Sequence, residues 1–251
     1  MLVDEYAGFL IDLDGVVYVG DEPVRGAIEA IERLRDAGRP FRFVTNSSSA
    51  TRAEVAHKLS VLGIPADEEE VVSAAWVTAT QLTAREIERV FVVGNDSLRR
   101  QLSDAGIANT REDSEAVVVG HHDGLTYSDL VTATRLLDAN DIPLIAVNAD
   151  PRIPRPDGIV PGVGAIVRAL ETATDRTAEV IGKPAPHLFE LAIDSLGTDD
   201  VVMIGDSPTV DIVGAHRAGI SAILATTHAY EYEEITPDAT IDTLLDLFAG
   251  R

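Results

Sequence analysis

The chain has no cysteine. Disulfides, thiolate nucleophiles and cysteine-based zinc or iron–sulfur centres are therefore excluded. Lysine is almost absent too: Lys58 and Lys183 are the only two, and arginine supplies every other basic residue. Long apolar runs are missing, and stretches such as 201–205 are far too short to cross a bilayer. The six histidines (His57, His121, His122, His187, His216 and His228) include no helical pair at metal-binding spacing, and the adjacent His121 and His122 read as loop residues. Residues 1–6 carry Asp4 and Glu5 but no basic residue, which does not read as a signal peptide, so the expected location is the cytoplasm.

Acid dominates what is there. Asp and Glu number 42 against 20 Lys and Arg, a formal net charge of -22. Such a surface repels a phosphate backbone, so nucleic acid is not an expected partner, and neither is a membrane. An acidic, lysine-poor surface is similar to that of proteins from salt-loving microbes, in which salt screens self-repulsion; a halophile is the expectation. With 251 residues, 45% of them hydrophobic, the chain can bury a sizeable core in one large domain or two modest ones.

Apolar runs and helical stripes alternate along the chain. The pattern predicts strands over 6–13, 40–45, 70–73, 89–93, 116–119, 144–147, 179–181, 201–204 and 221–224. Helices are predicted over 26–37, 51–62, 74–86, 97–105, 127–139, 165–172, 187–196 and 209–218. Residues 150–164 read as a long Pro/Gly-rich loop, and loops of that length are usually functional. Trp76 falls in a helical stripe and reads as core. The alternation implies an α/β fold with a mainly parallel sheet.

Four polar clusters each follow an apolar strand: Asp12-Leu13-Asp14-Gly15, Thr45-Asn46-Ser47, Gly182-Lys183-Pro184, and Gly205-Asp206-Ser207 with Asp211. Loops at the C-terminal ends of parallel strands share one edge, so the four can converge. Together they supply carboxylates, a hydroxyl, an amide and a lysine, which suits a hard cation beside a phosphate. Asp12 can attack phosphorus. Asp14, two residues on, can protonate a leaving oxygen and then activate water. Gly15 allows a turn that aims backbone N–H groups at phosphate oxygens. Thr45 can add its hydroxyl, and Lys183 a compact positive charge. Asp206 can ligate a metal, and Asp211 can hold its waters or orient Lys183.

Asp12-Leu-Asp-Gly-Val, Val44-Thr-Asn-Ser, Ile181-Gly-Lys-Pro and Ile204-Gly-Asp-Ser with Asp211-Ile resemble, in order and spacing, the four motifs of the haloacid dehalogenase superfamily. The long interval between Thr45 and Lys183 resembles the NagD-type, 4-nitrophenylphosphatase-like branch. That resemblance implies a Rossmann-like parallel-sheet core over 1–77 and 179–251, with an inserted α/β cap of the C2 type over 78–178. It implies Mg2+ as cofactor and an aspartyl-phosphate on Asp12, which also ligates the metal. Asp14 would be the acid/base, with its carbonyl on the metal, and Lys183 would pair with the phosphate and Asp12. Asp206 would be a metal ligand and Asp211 would stand just behind. Leu13, Gly15, Thr45, Asn46 and Ser47 would bind phosphate. Asn148 and Asp150 of the cap would face the substrate, and Arg152 or Arg155 could hold an anionic leaving group. The activity implied is hydrolysis of a small phosphorylated metabolite (a sugar, nucleotide or glycol phosphate), and the cap could serve as a homodimer surface. A phosphomutase, or a non-catalytic binding protein on the same scaffold, are the alternatives. The former usually has a small helical cap near the first motif, for which 16–40 leaves no room, and the latter tends to lose a motif carboxylate.

Overall fold

The computed structural model describes residues 1–155, 158–226 and 235–250; His228 lies outside them. Two compact units emerge. One comprises Met1–Thr45, Arg52–Val72 and Lys183–Arg251, and the other Asn46–Thr51 and Ser73–Gly182.

In chain order the first strands are β1 (Gly8–Asp12), a small hairpin of β2 (Tyr18–Val19) and β3 (Glu22–Pro23), then β4 (Phe41–Thr45) and β5 (Val71–Ser73). Next come β6 (Arg89–Val93), β7 (Ala108–Asn109), β8 (Ala116–Val119), β9 (Leu144–Ala146), β10 (Arg152–Arg155), β11 (Gly158–Pro161) and β12 (Glu179–Val180). The last are β13 (Val201–Gly205), β14 (Ser221–Ala225) and β15 (Ala239–Ile241). The helices are α1 (Ala27–Asp36), α2 (Arg52–Val61), α3 (Ala74–Ala84), α4 (Asp96–Asp104), α5 (Tyr127–Ala139), α6 (Val163–Thr174), α7 (Pro186–Leu196) and α8 (Val213–Arg217).

The first sheet runs β15-β14-β13-β1-β4-β5. β1 pairs in parallel with both β13 and β4, and β14 with both β13 and β15. Every residue of β1 (GFLID) and β13 (VVMIG) is buried. Continuous apolar runs are what a central parallel strand, covered on both faces, requires. α1 shows the complementary period: Ala27, Ala30, Ile31 and Leu34 point inward and its charged residues outward.

The second sheet, β12-β9-β8-β6-β7, is parallel throughout. α5 and α6 pack with it around a core that includes Phe91, Val117, Val119, Leu137, Val167 and Leu170. Each such fully buried side chain contributes roughly 1.5–3 kcal/mol.

Four readings of the pattern need correction. Residues 150–164 are not one long loop: β10 and β11 form an antiparallel hairpin, and α6 begins at Val163. Prolines at both strands hid the hairpin, because proline reads as a break unless the strand is an edge. The predicted helix 209–218 is a π-helical turn, Pro208–Ile212, followed by the short α8. Trp76 is half-buried rather than core. Finally, β12, the strand before Lys183, belongs to the second sheet, so only three of the four polar clusters follow strands of the first.

Candidate active site

In the first unit the acidic loops meet at one rim. Parallel register sets Asp12 opposite Val44 and Ile11 opposite Ile204. Asp12 therefore closes β1, Thr45 closes β4, and Asp206 follows β13 directly. Open α/β sheets hold their ligands at such rims.

Asp12, Asp206 and Asp211 each offer an oxygen there, all within 4.8 Å of one another. Asp12 and Asp211 are buried, and Lys183, also buried, bonds to both. Its Nζ donates to Asp12 Oδ1 at 2.6 Å and to Asp211 Oδ1 at 2.7 Å. Asp211 Oδ2 accepts the Ser207 N–H at 3.0 Å. One ammonium thus stands against three carboxylates. Burial pushes the Asp12 carboxyl well above its ordinary range; Lys183 opposes this, while Asp211 and Asp206 add to it. Burial alone would lower the Lys183 ammonium, but Asp12 and Asp211 outweigh it and hold its pKa above the usual lysine range. A divalent cation fits this donor set. Carboxylate oxygens are hard ligands, and the cluster carries more negative charge than Lys183 neutralises. The Asp14 carboxylate is not in the trio; Asp211, expected just behind the metal, is.

Two glycines make the crowding feasible. Gly15 has φ +87°, and a Cβ there would lie 2.1 Å from Asp206 Oδ2. At Gly205 a Cβ would meet Asp211 Cγ at 2.3 Å. Between them the acidic loop is tightly wound. The buried Leu13 accepts on its carbonyl from the N–H groups of Val16, Val17 and Tyr18, at 3.3, 2.9 and 3.1 Å. Gly15 N–H donates to Tyr18 O at 2.8 Å. Asp14 reaches solvent. The protein packed around it nevertheless raises its carboxyl above the ordinary range, with Lys58 and then Lys183 opposing.

Two residues of this neighbourhood escaped the motif reading. Tyr18 is buried, and Lys58 Nζ lies 3.9 Å from its ring centroid. The signal available in the sequence was Lys58 itself, the other lysine of the chain.

Of the remaining predicted contacts, all but Thr45 lie in the second unit. Thr45, buried, ends the first unit, whereas Asn46 and Ser47 open the six-residue segment assigned to the second. There the buried Asn148 donates through Nδ2 to Asn46 O at 2.7 Å and accepts the Asp150 N–H on Oδ1 at 3.1 Å. Asn46 Nδ2 reaches Asp150 Oδ2 at 3.4 Å. The segment is fastened further along, where Ser48 Oγ accepts His121 N–H at 2.8 Å and Asn95 Nδ2 donates to Ser49 O at 3.2 Å. Ser47 Oγ bonds to Ser49 Oγ at 2.9 Å. Asn46, Asn148 and Asp150 are thus one connected group. Arg152 is exposed. Arg155 donates to Asp123 at 2.6 Å, and Asp123 also bonds His121 at 3.0 Å, so these residues tie the β10–β11 hairpin to the His121 loop.

A family model described as haloacid dehalogenase-like hydrolase matches residues 9–108, and a HAD-hydrolase-like model matches 180–247. The 5'-nucleotidase YutF of Bacillus subtilis is 35% identical over 236 residues, 93% of this chain and 92% of that protein. The chain belongs to the haloacid dehalogenase-like hydrolases. Among solved structures, this hydrolase matches a 4-nitrophenylphosphatase from Thermotoga maritima with a TM-score of 0.92 at 29% identity, covering 97% of both chains. It matches a glycerol phosphate phosphatase from Mycobacterium tuberculosis, in complex with calcium, with a TM-score of 0.91 at 32% identity. That match covers 98% of this chain and 76% of the other. The hydrolase therefore sits in the NagD-type, 4-nitrophenylphosphatase-like branch.

Proposed function

We propose that this HAD-like hydrolase is a magnesium-dependent phosphatase that hydrolyses a small phosphomonoester through an aspartyl-phosphate on Asp12. The observation that carries the reading is the buried Lys183 bridging Asp12 and Asp211 beside Asp206. Asp12, Asp206 and the Asp14 carbonyl would hold the metal, with Asp211 behind or beside it. A bound magnesium would neutralise the carboxylates and draw charge from the phosphoryl group.

In the first step an Asp12 oxygen attacks phosphorus. The P–O bond to the alcohol breaks, and the Asp14 carboxyl gives that oxygen its proton. A raised pKa favours the protonated Asp14 that this step needs. In the second step the Asp14 carboxylate takes a proton from water as the water oxygen attacks phosphorus. Inorganic phosphate leaves and Asp12 is restored. The Lys183 ammonium and the Thr45 hydroxyl stabilise charge on the phosphoryl oxygens.

In this reading the second unit is a cap that excludes bulk water from the acyl-phosphate, and Asn46, Ser47, Asn148 and Asp150 present polar groups to the phosphate or substrate. The related proteins are named for a nucleotide, a nitrophenyl ester and glycerol phosphate, which supports a small phosphomonoester as the class. We further propose a high-salt cytoplasm as its setting, supported by the acidic, lysine-poor composition, and the second unit as a surface for a homodimer. The test of activity is phosphate release from 4-nitrophenyl phosphate with magnesium, comparing wild type with Asp12→Asn. Release falls to background in the variant; equal rates would remove Asp12 from the mechanism.

A further inference from the structure

Every basic residue of this chain is an arginine except two, and both lysines stand beside the acidic loop of the first unit. Asp12 and Asp211 account for Lys183. Lys58 lies in the last turn of α2, with its side chain 37% exposed. Its carboxylate neighbour, Asp21, is fully exposed and 3.9 Å away, a pair of little energetic weight. The contact that orients Lys58 is the face of Tyr18, 3.9 Å from Nζ to the ring centroid. An ammonium over a phenol ring is attracted by the ring's quadrupole, more so where water is partly excluded.

Tyr18 is only 5% exposed and is bound into the acidic loop at both backbone polar groups. Its N–H donates to Leu13 O at 3.1 Å, its carbonyl accepts Gly15 N–H at 2.8 Å, and it forms a bridge with Asp14. Gly15 in turn leaves no room for a side chain beside Asp206. The Tyr18 ring thus projects from the same hydrogen-bonded turn that carries Asp14 and Gly15, and packs that turn against α2.

We propose that Lys58 is a positioning residue: by clamping the Tyr18 ring from α2 it holds the turn between Asp14 and Tyr18 in its working shape. This rests on Asp14 being the acid/base group, as proposed above. The test is steady-state hydrolysis of 4-nitrophenyl phosphate with magnesium by K58M, K58R, Y18L and K58M/Y18L, with D12N alongside. K58M keeps the aliphatic stem but loses the charge, so kcat falls about tenfold while KM stays within about twofold. K58R keeps both charge and ring contact and recovers most of the loss. The double variant is no worse than Y18L, because the two residues act through one contact.

The proposal is overturned if K58M matches wild type. It is equally overturned if K58M raises KM with kcat unchanged, since Lys58 would then bind substrate, or if the two losses simply add. A K58M protein that melts far below wild type, with K58R no better, marks a purely structural role and also overturns it. Full activity in D12N would sink the aspartyl-phosphate reading alone, and the kcat response of K58M would still be read on its own.

Discussion

Lys183 donates to Asp12 across 2.6 Å in a site where its own side chain is 2% exposed. The same Nζ reaches Asp211 at 2.7 Å, so a single positive charge holds two carboxylates in place. Lys183→Met removes that charge and leaves the acids facing one another. Breaking a buried pair from one side costs about 3–5 kcal/mol, so urea unfolding in the presence of a chelator shows a loss of that order. Magnesium recovers part of the loss, because a cation takes over the missing charge. Turnover drops at least about 100-fold, and magnesium does not restore it, because the charge opposite the phosphoryl group is gone.

Gly15→Ala tests the crowding at the acidic loop. An added Cβ would sit 2.1 Å from Asp206 Oδ2, at a backbone φ of +87° that side chains rarely adopt. Asp206 must move. The expected result is at least a roughly tenfold higher magnesium concentration for half-maximal activity, since displacing a metal ligand weakens the site directly. A titration of activity against magnesium measures it. An unchanged midpoint would separate Asp206 from the metal.

Much of this was legible in the sequence, for a physical reason. Central parallel strands are buried on both faces, so β1 and β13 appear as unbroken apolar runs, and the polar residues that end them mark the rim. Asp12, Asp206 and Asp211 could be found from that pattern alone. The route of Lys183 could not. The two residues of β12 carry no mark of the sheet they join, so the pattern put Lys183 on the same sheet as the acids, which is not how it arrives. The segment Asn46–Thr51 was opaque for a similar reason: its membership in the second unit is set by hydrogen bonds from Asn148, His121 and Asn95, each far away in the chain. Lys58 and Tyr18 were hidden because a cation–π contact has no spacing rule.

Asn148 offers a test within the second unit. It is 5% exposed and satisfies two backbone groups, Asn46 O at 2.7 Å and Asp150 N–H at 3.1 Å. Asn148→Ala leaves both without that partner and costs about 1–3 kcal/mol in unfolding free energy. Asn148→Asp keeps the acceptor for Asp150 but turns the donor into a carboxylate oxygen facing Asn46 O. At neutral pH it is the less stable of the two variants, and denaturant unfolding ranks them. The reverse order would mean that the Asn46 contact contributes little.

The charge balance makes a prediction about salt. With a net charge of -22, folding brings like charges together, and mobile ions relieve the cost. Raising KCl from about 0.1 M to about 1 M shortens the screening length from roughly 10 Å to 3 Å, so the melting temperature rises across that range. A midpoint that does not move with KCl would count against a surface suited to high salt.

The central claim is that phosphate passes through Asp12. Rapid acid quenching of the magnesium-loaded enzyme during turnover, followed by peptide mass spectrometry, tests it most directly. The account predicts one phosphoryl group on the peptide carrying Asp12 and Asp14, present in wild type, absent in Asp12→Asn, and assigned by fragmentation to Asp12. A phosphoryl group on any other residue would contradict it, and so would an unlabelled Asp12 peptide in Asp14→Asn given 4-nitrophenyl phosphate, whose leaving group departs without a proton while the missing base slows the second step.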